Sequence, residues 1–185
     1  MRTMSAAVMV LLCAGQVLAP RVSPQPAVVD RDIAVYFSPD GGCLDAVVSQ
    51  IGSARKSIDV QAFLLTTEKI AEPLVAAHQR GVAVRIIFDA DQAADDFSLD
   101  ERIVRAGVPV WLDAPEEGKG KAHNKIMIID GQTVITGSYN FTLTADEKNA
   151  ENLLVIRGRP LIANAYRRNF EARLAAARRH PDQKP

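Results

Sequence analysis

The sequence predicts an α/β fold, a layered α/β/α sandwich in which helices cover both faces of a mixed β-sheet. The first observation is that short β-prone runs alternate with stretches of helical periodicity along the chain, as in layered α/β domains. The second is the run at residues 82–88, which is apolar except for Arg85, a pattern typical of strands buried on both faces. The third is Asp130-Gly131 between two apolar runs, which predicts a β-hairpin.

The first half of the chain alternates strand, helix, strand, helix. Residues 33–37 form a β-prone run and predict a strand, and the apolar residues of segment 44–54 share one face of a helix. A second strand is predicted at residues 57–65. The following helix begins after Thr66-Thr67, which offer an N-cap, and ends at Gly81.

The second half continues the alternation after the buried strand at residues 82–88. Residues 98–106 predict a short helix closed by Gly107, and residues 108–112 predict another strand. The last predicted elements are strands at residues 126–129, 133–136 and 151–156 and a long helix that begins at Pro160 and turns Ile162, Tyr166, Phe170, Leu174 and Ala177 toward the core.

Length and composition indicate one globular domain. The chain has 185 residues, of which 48% are hydrophobic and 24% charged. Residues 1–19 resemble a signal peptide with a positive start and a short apolar stretch, so a periplasmic or secreted location without stable membrane association is expected. Pro20 disfavours cleavage directly after residue 19, so the cleavage site and retention as an anchor stay open.

The remaining boundaries follow from composition. Residues 20–30 contain three prolines and are assigned to a linker. Residues 31–180 form the predicted catalytic domain, and residues 181–185 are expected to be a frayed tail.

Polar side chains flank both strands of the predicted hairpin. His123 and Lys125 lie at the start of its first strand, and Gly137, Ser138 and Asn140 lie just past the end of its second. Because the strands are antiparallel, these two ends are neighbours. The lysine, serine and asparagine donate hydrogen bonds suited to phosphate oxygens, and the glycine permits close approach of the backbone. The histidine adds a nucleophile or proton carrier, so the pattern predicts phosphoryl-transfer chemistry without an obligatory metal.

Each of these residues taken singly is typical of a surface or a turn, and only their joint spacing favours a site. Residues 121–140 read KAHNKIMIIDGQTVITGSYN. This segment resembles the signature of the phospholipase D superfamily, His-x-Lys-x4-Asp-x6-Gly-Ser-x-Asn, and matches it at every fixed position. The resemblance extends from about residue 33 to the end of the domain, and in particular to the short bacterial endonucleases that carry a single motif.

The resemblance implies a role for each polar residue. His123 would attack phosphorus and form a covalent phosphohistidine. Lys125 and Asn140 would hold the phosphate oxygens, and Ser138 would support that site. The resemblance also implies that Glu151, which opens the last strand, bonds the second ring nitrogen of the histidine.

Other residues of this region receive structural or substrate-binding roles. Asp130 lies at the hairpin turn, far from His123 along the strand, and is assigned a structural role together with Gly137. Lys119 and Lys121 lie in the loop that leads to His123, beside the predicted site, and Lys121 is predicted to bind substrate.

No metal or cofactor site is predicted. Cys43 is the one cysteine beyond residues 1–19, so neither a disulfide nor a zinc cluster is expected there. Asp89 and Asp91 lack a third ligand at a persuasive spacing.

The implied mechanism needs two histidines, one to attack phosphorus and one to protonate the leaving oxygen. The chain has three histidines and no internal repeat. His78 and His180 lack a lysine two residues on, so neither repeats the pattern around His123. The second half of the site is therefore predicted to come from a second copy, in a homodimer with a shared active site.

Three functions stay open. A sequence-nonspecific nuclease acting on DNA or RNA is favoured by the short length, the single motif and the predicted export signal. A phospholipase acting on head groups would favour an exposed apolar entrance, and the sequence shows no extra apolar loop. A non-catalytic phosphate-binding module is disfavoured by the intact set of polar residues. Because the formal net charge is zero, any phosphate-binding surface is expected to be local.

Overall fold

The computed structural model describes residues 26–115 and 119–183. The strands of this part are β1 (Val28–Asp30), β2 (Ile33–Ser38), β3 (Ser57–Ala62), β4 (Ala83–Asp89), β5 (Val110–Asp113), β6 (Lys125–Ile129), β7 (Thr133–Gly137), β8 (Glu151–Ile156) and β9 (Arg178–Arg179). The helices of this part are α1 (Cys43–Ser53), α2 (Glu68–Gln79), α3 (Ala90–Ala93), α4 (Asp100–Arg105), α5 (Leu143–Glu147) and α6 (Pro160–Ala176). The predicted signal peptide lies outside the described residues.

The described strands form one mixed sheet in the order β1-β2-β8-β7-β6-β3-β4-β5-β9. β4 pairs in parallel with both β3 and β5, whereas the other neighbours pair antiparallel. The predicted mixed sheet is confirmed. None of the helices in the described residues is long and apolar enough to cross a membrane.

Alternation of side chains along β6 divides the core into two layers. Ile126 and Ile128 pack with the fully buried Phe170 of α6. Met127 and Ile129 belong to the other layer, which contains the apolar faces of α1, α2 and α4. Helices therefore cover both faces of the sheet, which confirms the predicted α/β/α sandwich.

The predicted hairpin is present as β6 and β7. The register pairs Ile129 with Thr133, so residues 130–132 form the loop. Asp130 and Gly131 both have positive φ, 53° and 67°, the left-handed conformation that Asp-Gly pairs adopt at low cost.

Asp130 ties the hairpin to the start of β3. Its carboxylate accepts hydrogen bonds from the backbone N–H groups of Arg55, Lys56 and Ser57 at 3.0, 2.7 and 3.0 Å, and its own N–H donates to the Ser57 carbonyl at 2.9 Å. Partial burial acts to raise the pKa of this carboxyl, but the three backbone hydrogen bonds outweigh it and lower the pKa. Asp130 follows the last residue of β6, whereas Lys125 is its first, so this carboxylate acts on the scaffold at the opposite end of the strand from Lys125.

One predicted boundary is wrong at the N-terminal end of the domain. The last three residues of the predicted linker form β1, in which Val28 pairs with Val35 and Asp30 with Ile33 of β2. These residues extend the sheet because the edge of β2 offers unpaired backbone groups. The prolines earlier in the segment give no sign of this pairing.

The predicted frayed tail is also wrong where it is described. His180 is buried, and its Nε2 lies 2.9 Å from Oδ2 of Asp100. Gln183 accepts a hydrogen bond from the Val110 N–H through its side-chain oxygen at 3.0 Å. These contacts anchor residues 180–183 against β5 and α4.

The predicted core face of α6 differs from the observed one at its first residue. Ile162 is 38% exposed, whereas Ala163 is fully buried with Phe170. Tyr166 and Leu174 pack beside them as predicted. The small alanine lets the helix approach the sheet closely, and the isoleucine is left at the side of the contact.

Asp130→Ala is expected to lower the free energy of unfolding by about 1–3 kcal/mol, because three backbone donors lose their acceptor. The folded-state pKa of the carboxyl is depressed, so its stabilising effect is present above the unfolded-state pKa and is lost as pH falls through the folded-state pKa. Urea unfolding from neutral to acid pH measures this, and the two stability curves should converge at low pH. The exposed Asp96→Ala is the control; an equal loss in both variants would contradict the assignment.

Candidate active site

The predicted site residues meet at one end of the sheet, where β6 and β8 begin and β7 ends; we call it the site end. Lys125 pairs with Ala62 at the end of β3, and Gly137 pairs with Leu153 near the start of β8. His123 precedes β6 by two residues. Four consecutive strands of the sheet order therefore contribute to this end.

Lys125 has its side chain in the protein interior at the site end, with the residue only 6% exposed. Its Nζ donates to the backbone carbonyl of His123 at 2.8 Å and lies 4.5 Å from the ring centroid of Phe63. Burial lowers the pKa of this ammonium to about 8, although the nearby carboxylates of Glu151 and Asp89 act to raise it. An ammonium has three N–H donors, so a bound anion can accept hydrogen bonds from those that the His123 carbonyl does not use.

His123 is exposed and rests against an aromatic ring. Its imidazole lies 4.3 Å from the Phe63 ring, centroid to centroid, at a tilt of 55°. The Phe63 N–H donates to the carbonyl of Asn124 at 2.9 Å, which holds the loop before β6 against the end of β3. The imidazole is thus positioned by packing and remains accessible to a ligand.

Glu151 contacts other partners than the predicted ones. Its Oε2 accepts a hydrogen bond from Oγ of Ser138 at 2.5 Å, and its Oε1 accepts one from Nδ2 of Asn149 at 3.1 Å. Within residues 26–115 and 119–183, no hydrogen bond joins this carboxylate to the His123 ring, which instead packs on Phe63. The structure therefore places Glu151 at the site end without the implied bond to histidine.

Ser138 is engaged on every side. Its hydroxyl donates to Glu151 and accepts from the backbone and side-chain N–H groups of Asn152 at 3.1 and 3.3 Å. A hydroxyl has one proton, so in this arrangement Ser138 has none to donate to a phosphate oxygen. The geometry assigns it to the support of Glu151 rather than to direct binding.

Gly137 is required by the sheet itself. A Cβ at this position would lie 2.2 Å from the carbonyl oxygen of Asn152 on β8. The close approach that the sequence attributes to a ligand is therefore made by the neighbouring strand.

Asn140 is held by two buried aromatic neighbours. Tyr139 and Phe141 are both fully buried, and the Tyr139 hydroxyl donates to Oδ1 of Asp146 at 3.2 Å. Phe141 joins the loop after β3 through two backbone hydrogen bonds. The side-chain oxygen of Asn140 is buried and has no hydrogen-bond partner among the described residues. We call His123, Lys125 and Asn140 together the cradle.

Asp89 is a residue that sequence reasoning considered only as a metal ligand. It is 2% exposed at the end of β4, and its Oδ2 accepts a hydrogen bond from the Ala122 N–H at 2.7 Å. Its Oδ1 caps α3 by accepting from the Gln92 N–H at 3.1 Å. The carboxylate thus fixes the backbone one residue before His123. The sequence signal that could have indicated this role is an aspartate at the end of a buried strand, in a position to cap the helix that follows.

Lys121 forms an ion pair with Asp91 in the structure, and this contact raises the pKa of the lysine. Both side chains are exposed. Substrate binding by Lys121, as predicted, therefore requires exchange of this partner. Lys119 is exposed in the same loop.

Other nucleophilic or basic groups lie outside the cradle. His180 pairs with Asp100. His78 packs beside Gly107: a Cβ added to this glycine would lie 3.7 Å from Nε2 of His78. Burial raises the pKa of the Cys43 thiol to about 12, with Asp146 and Glu151 adding to the shift. Within the described residues, no cluster of three histidine, cysteine or acidic side chains is arranged to hold a metal ion.

Comparison with known families and sequences gives consistent matches. The family model described as "Cardiolipin synthase, PLD-like domain" matches residues 47–174. A phospholipase D of Rickettsia typhi is 37% identical over 151 residues, which cover 82% of this chain and 72% of that protein. A mitochondrial cardiolipin hydrolase of Chlamydomonas reinhardtii is 31% identical over 185 aligned residues, which cover 87% of this chain and 80% of that protein.

Two solved structures share the fold. Nuc from Salmonella typhimurium, described as a phospholipase D family member, superposes with a TM-score of 0.75 at 35% identity and covers 80% of this chain and 97% of its own. NucT from Helicobacter pylori gives a TM-score of 0.74 at 23% identity, covering 80% of this chain and 98% of its own.

Sulfate affinity is expected to depend on the protonation of Lys125. Because the pKa of the ammonium is lowered to about 8, affinity should fall by up to about tenfold per pH unit as pH rises from 7.5 to 9.5. Sulfate keeps its charge over this range, so calorimetric titration reports the protein group. Lys125→Gln should weaken binding and remove the pH dependence, whereas Lys56→Gln, at the opposite end of β3, should change neither. A pH-independent affinity in the wild-type protein would contradict the prediction.

Proposed function

The chain belongs to the phospholipase D superfamily and is a phosphodiesterase, and we propose that it is an endonuclease that hydrolyses DNA or RNA without a metal ion through a phosphohistidine on His123. The observation that carries this proposal is the cradle, where the exposed imidazole of His123 and the buried, desolvated ammonium of Lys125 both pack against the Phe63 ring. Support for a nucleic-acid substrate comes from the resemblance of the chain to the short bacterial endonucleases that carry a single motif. The exposed imidazole is also accessible to the backbone of a polymer.

The reaction has two steps. In the first, a ring nitrogen of His123 attacks phosphorus, the bond from phosphorus to the leaving oxygen breaks, and that oxygen takes a proton from a second imidazole. In the second, water attacks the phosphohistidine, the phosphorus–nitrogen bond breaks, and the second imidazole accepts the proton of the water. Lys125 and Asn140 hold the non-bridging oxygens, and the ammonium stabilises the negative charge that develops on them.

Supporting groups preserve this geometry. Asp89 fixes the backbone before His123, and Ser138 and Asn149 orient Glu151. The carboxylate of Glu151 is close enough to Lys125 to act on its pKa. We assign to this carboxylate the electrostatic stabilisation of the positively charged imidazole that forms during turnover.

The second imidazole comes from a second copy of the chain. The other two histidines are held elsewhere: His180 is buried against Asp100, and His78 lies beside Gly107. A two-fold homodimer brings two His123 rings to one composite site with a single self-complementary interface. Each chain then supplies its own Lys125 and Asn140.

Phospholipid is the second candidate substrate. The relatives of Rickettsia typhi and Rickettsia felis, which are 37% and 40% identical, are named phospholipase D. A head-group phosphodiester presents the same phosphate to the cradle as a nucleic acid does. The substrate assay below therefore includes both classes.

The proposed location is the periplasm or the cell exterior. This proposal rests on residues 1–19, which have the composition of a signal peptide. After removal of that segment, no stable membrane association is expected.

Plasmid nicking in excess EDTA tests the proposed function. The wild-type protein should nick supercoiled DNA, because Lys125 supplies the charge stabilisation that a divalent ion provides in other enzymes. His123→Asn should lose at least about a thousandfold in rate while keeping its fold by circular dichroism. His78→Gln is the matched control and should remain active.

Parallel incubation with cardiolipin and phosphatidylcholine vesicles separates the two substrate classes. If the protein hydrolyses the lipids and leaves the plasmid intact, the nuclease assignment is wrong, whereas the proposed phosphohistidine mechanism still stands. If chelation abolishes cleavage and magnesium or zinc restores it, the metal-independent mechanism is wrong.

A mixed dimer tests the shared site. Wild-type and His123→Ala chains with different tags are co-expressed, and the heterodimer is purified through both tags. It should show little or no multiple turnover, because one His123 is missing. The remaining histidine can act as the nucleophile or as the proton donor to the leaving group, but not as both. Retention of half the wild-type rate, or full activity of a monomeric sample, would show that each chain works alone.

A further inference from the structure

A cavity of about 520 Å³ adjoins the cradle and has no role in the chemistry derived above. Its walls come from the loop after β3, from α3 and the loop that follows it, and from the segment between β7 and β8. Asn140 lines the cavity and belongs to the cradle, so the cavity lies next to the position proposed for the phosphate. The volume is in the range of small-ligand sites.

Most of the lining residues have polar side chains, and only some of these make hydrogen bonds within the protein. Thr142 caps α5, and Asn149 donates to Glu151. Oδ1 of Asp95 accepts a hydrogen bond from the Phe97 N–H at 3.1 Å, which orients the carboxylate. Among the described residues, Oδ2 of Asp95 has no hydrogen-bond partner; because the residue is exposed, this oxygen is accessible to the N–H group of a ligand.

Phe97 borders the same cavity and is 78% exposed. A flat ring on the surface beside a polar cavity offers a stacking face, and nucleic-acid bases stack on such rings irrespective of sequence. An acyl chain would cover this ring but would displace water from Asp95 and Gln92 without offering hydrogen bonds in its place. The combination of a stacking ring and a nearby carboxylate matches a nucleobase better than a lipid.

We propose that this cavity is a nucleoside subsite, which binds the nucleoside attached to the scissile phosphate with its base stacked on Phe97 and an exocyclic amino group donated to Asp95. The subsite rests on the proposed nuclease function and adds a substrate contact to it. Adenine, cytosine and guanine carry an exocyclic amino group and thymine does not. The enzyme is therefore expected to cleave any sequence but to work less well beside thymine.

The test uses oligomers of equal length and equal phosphate number. Each has an abasic sugar–phosphate backbone with one nucleoside at the centre, and the product lengths locate the cleaved phosphate. The wild-type protein should cleave beside the nucleoside about tenfold more efficiently than at abasic positions, the order of effect expected for one stacked base. Phe97→Ala should lose this focusing and cleave the abasic backbone at the wild-type rate.

Leu161→Ala is the matched control for exposed apolar area. Leu161 is 84% exposed near the start of α6. This helix follows the last residue of β8, and β8 begins at the site end, so Leu161 lies away from it. This variant should keep both the rate and the focusing of the wild-type protein.

Asp95→Asn tests the polar contact. The substitution keeps the oxygen that accepts from the Phe97 N–H and replaces the other oxygen with an amide group. The preference for deoxyadenosine, deoxycytidine or deoxyguanosine over thymidine as the central nucleoside should be lost. A preference unchanged by this variant would overturn the assignment of Asp95.

The outcomes separate the subsite from the function on which it rests. If the wild-type protein cleaves no oligomer or plasmid but is otherwise folded, the nuclease function fails and the subsite with it. If the protein cleaves DNA but shows no focusing, or if Phe97→Ala keeps the focusing, the nucleoside subsite alone is wrong. If Phe97→Ala reduces turnover of phospholipid vesicles and leaves the oligomer pattern unchanged, Phe97 is a lipid contact and the proposal is overturned.

Discussion

Burial of the Lys125 ammonium at the end of a central strand is the constraint on which the site depends. The side chain is taken out of water with the His123 carbonyl as acceptor and the Phe63 ring beneath it. Desolvation of a charge is unfavourable, and it appears here as the lowered pKa of the lysine. An anionic ligand at this position relieves that cost, so the fold keeps a strong anion-binding group in a protein whose formal net charge is zero.

The scaffold around this lysine is held at both ends of the hairpin. At one end, Asp130 accepts three backbone hydrogen bonds from the start of β3. At the other end, Asp89 holds the loop that carries His123, and buried Tyr139 fixes the segment that carries Asn140. Rigid placement of this kind favours electrostatic stabilisation without reorganisation during the reaction.

Carboxylates around the site end shape its binding properties. Burial lowers the pKa of Lys125, Glu151 and Asp89 partly oppose this lowering, and Asp91 forms an ion pair with Lys121. Phosphate recognition is therefore concentrated in the cradle. This favours recognition of one phosphodiester and its neighbour over tight binding of a long polyanion.

The sequence by itself determined the sandwich, the hairpin and the grouping of His123, Lys125 and Asn140, because periodicity and turn chemistry act over a few residues and an antiparallel register brings strand ends together. Only the tertiary structure decided which partners these groups take. The His180–Asp100 pair joins positions 80 residues apart, and the Asp89 contact to the Ala122 N–H spans 33 residues. The same holds for Glu151, which bonds Ser138 and Asn149. Such contacts depend on how strands and loops pack in space. Local sequence patterns extend over a few residues and therefore cannot predict contacts between residues far apart in the sequence.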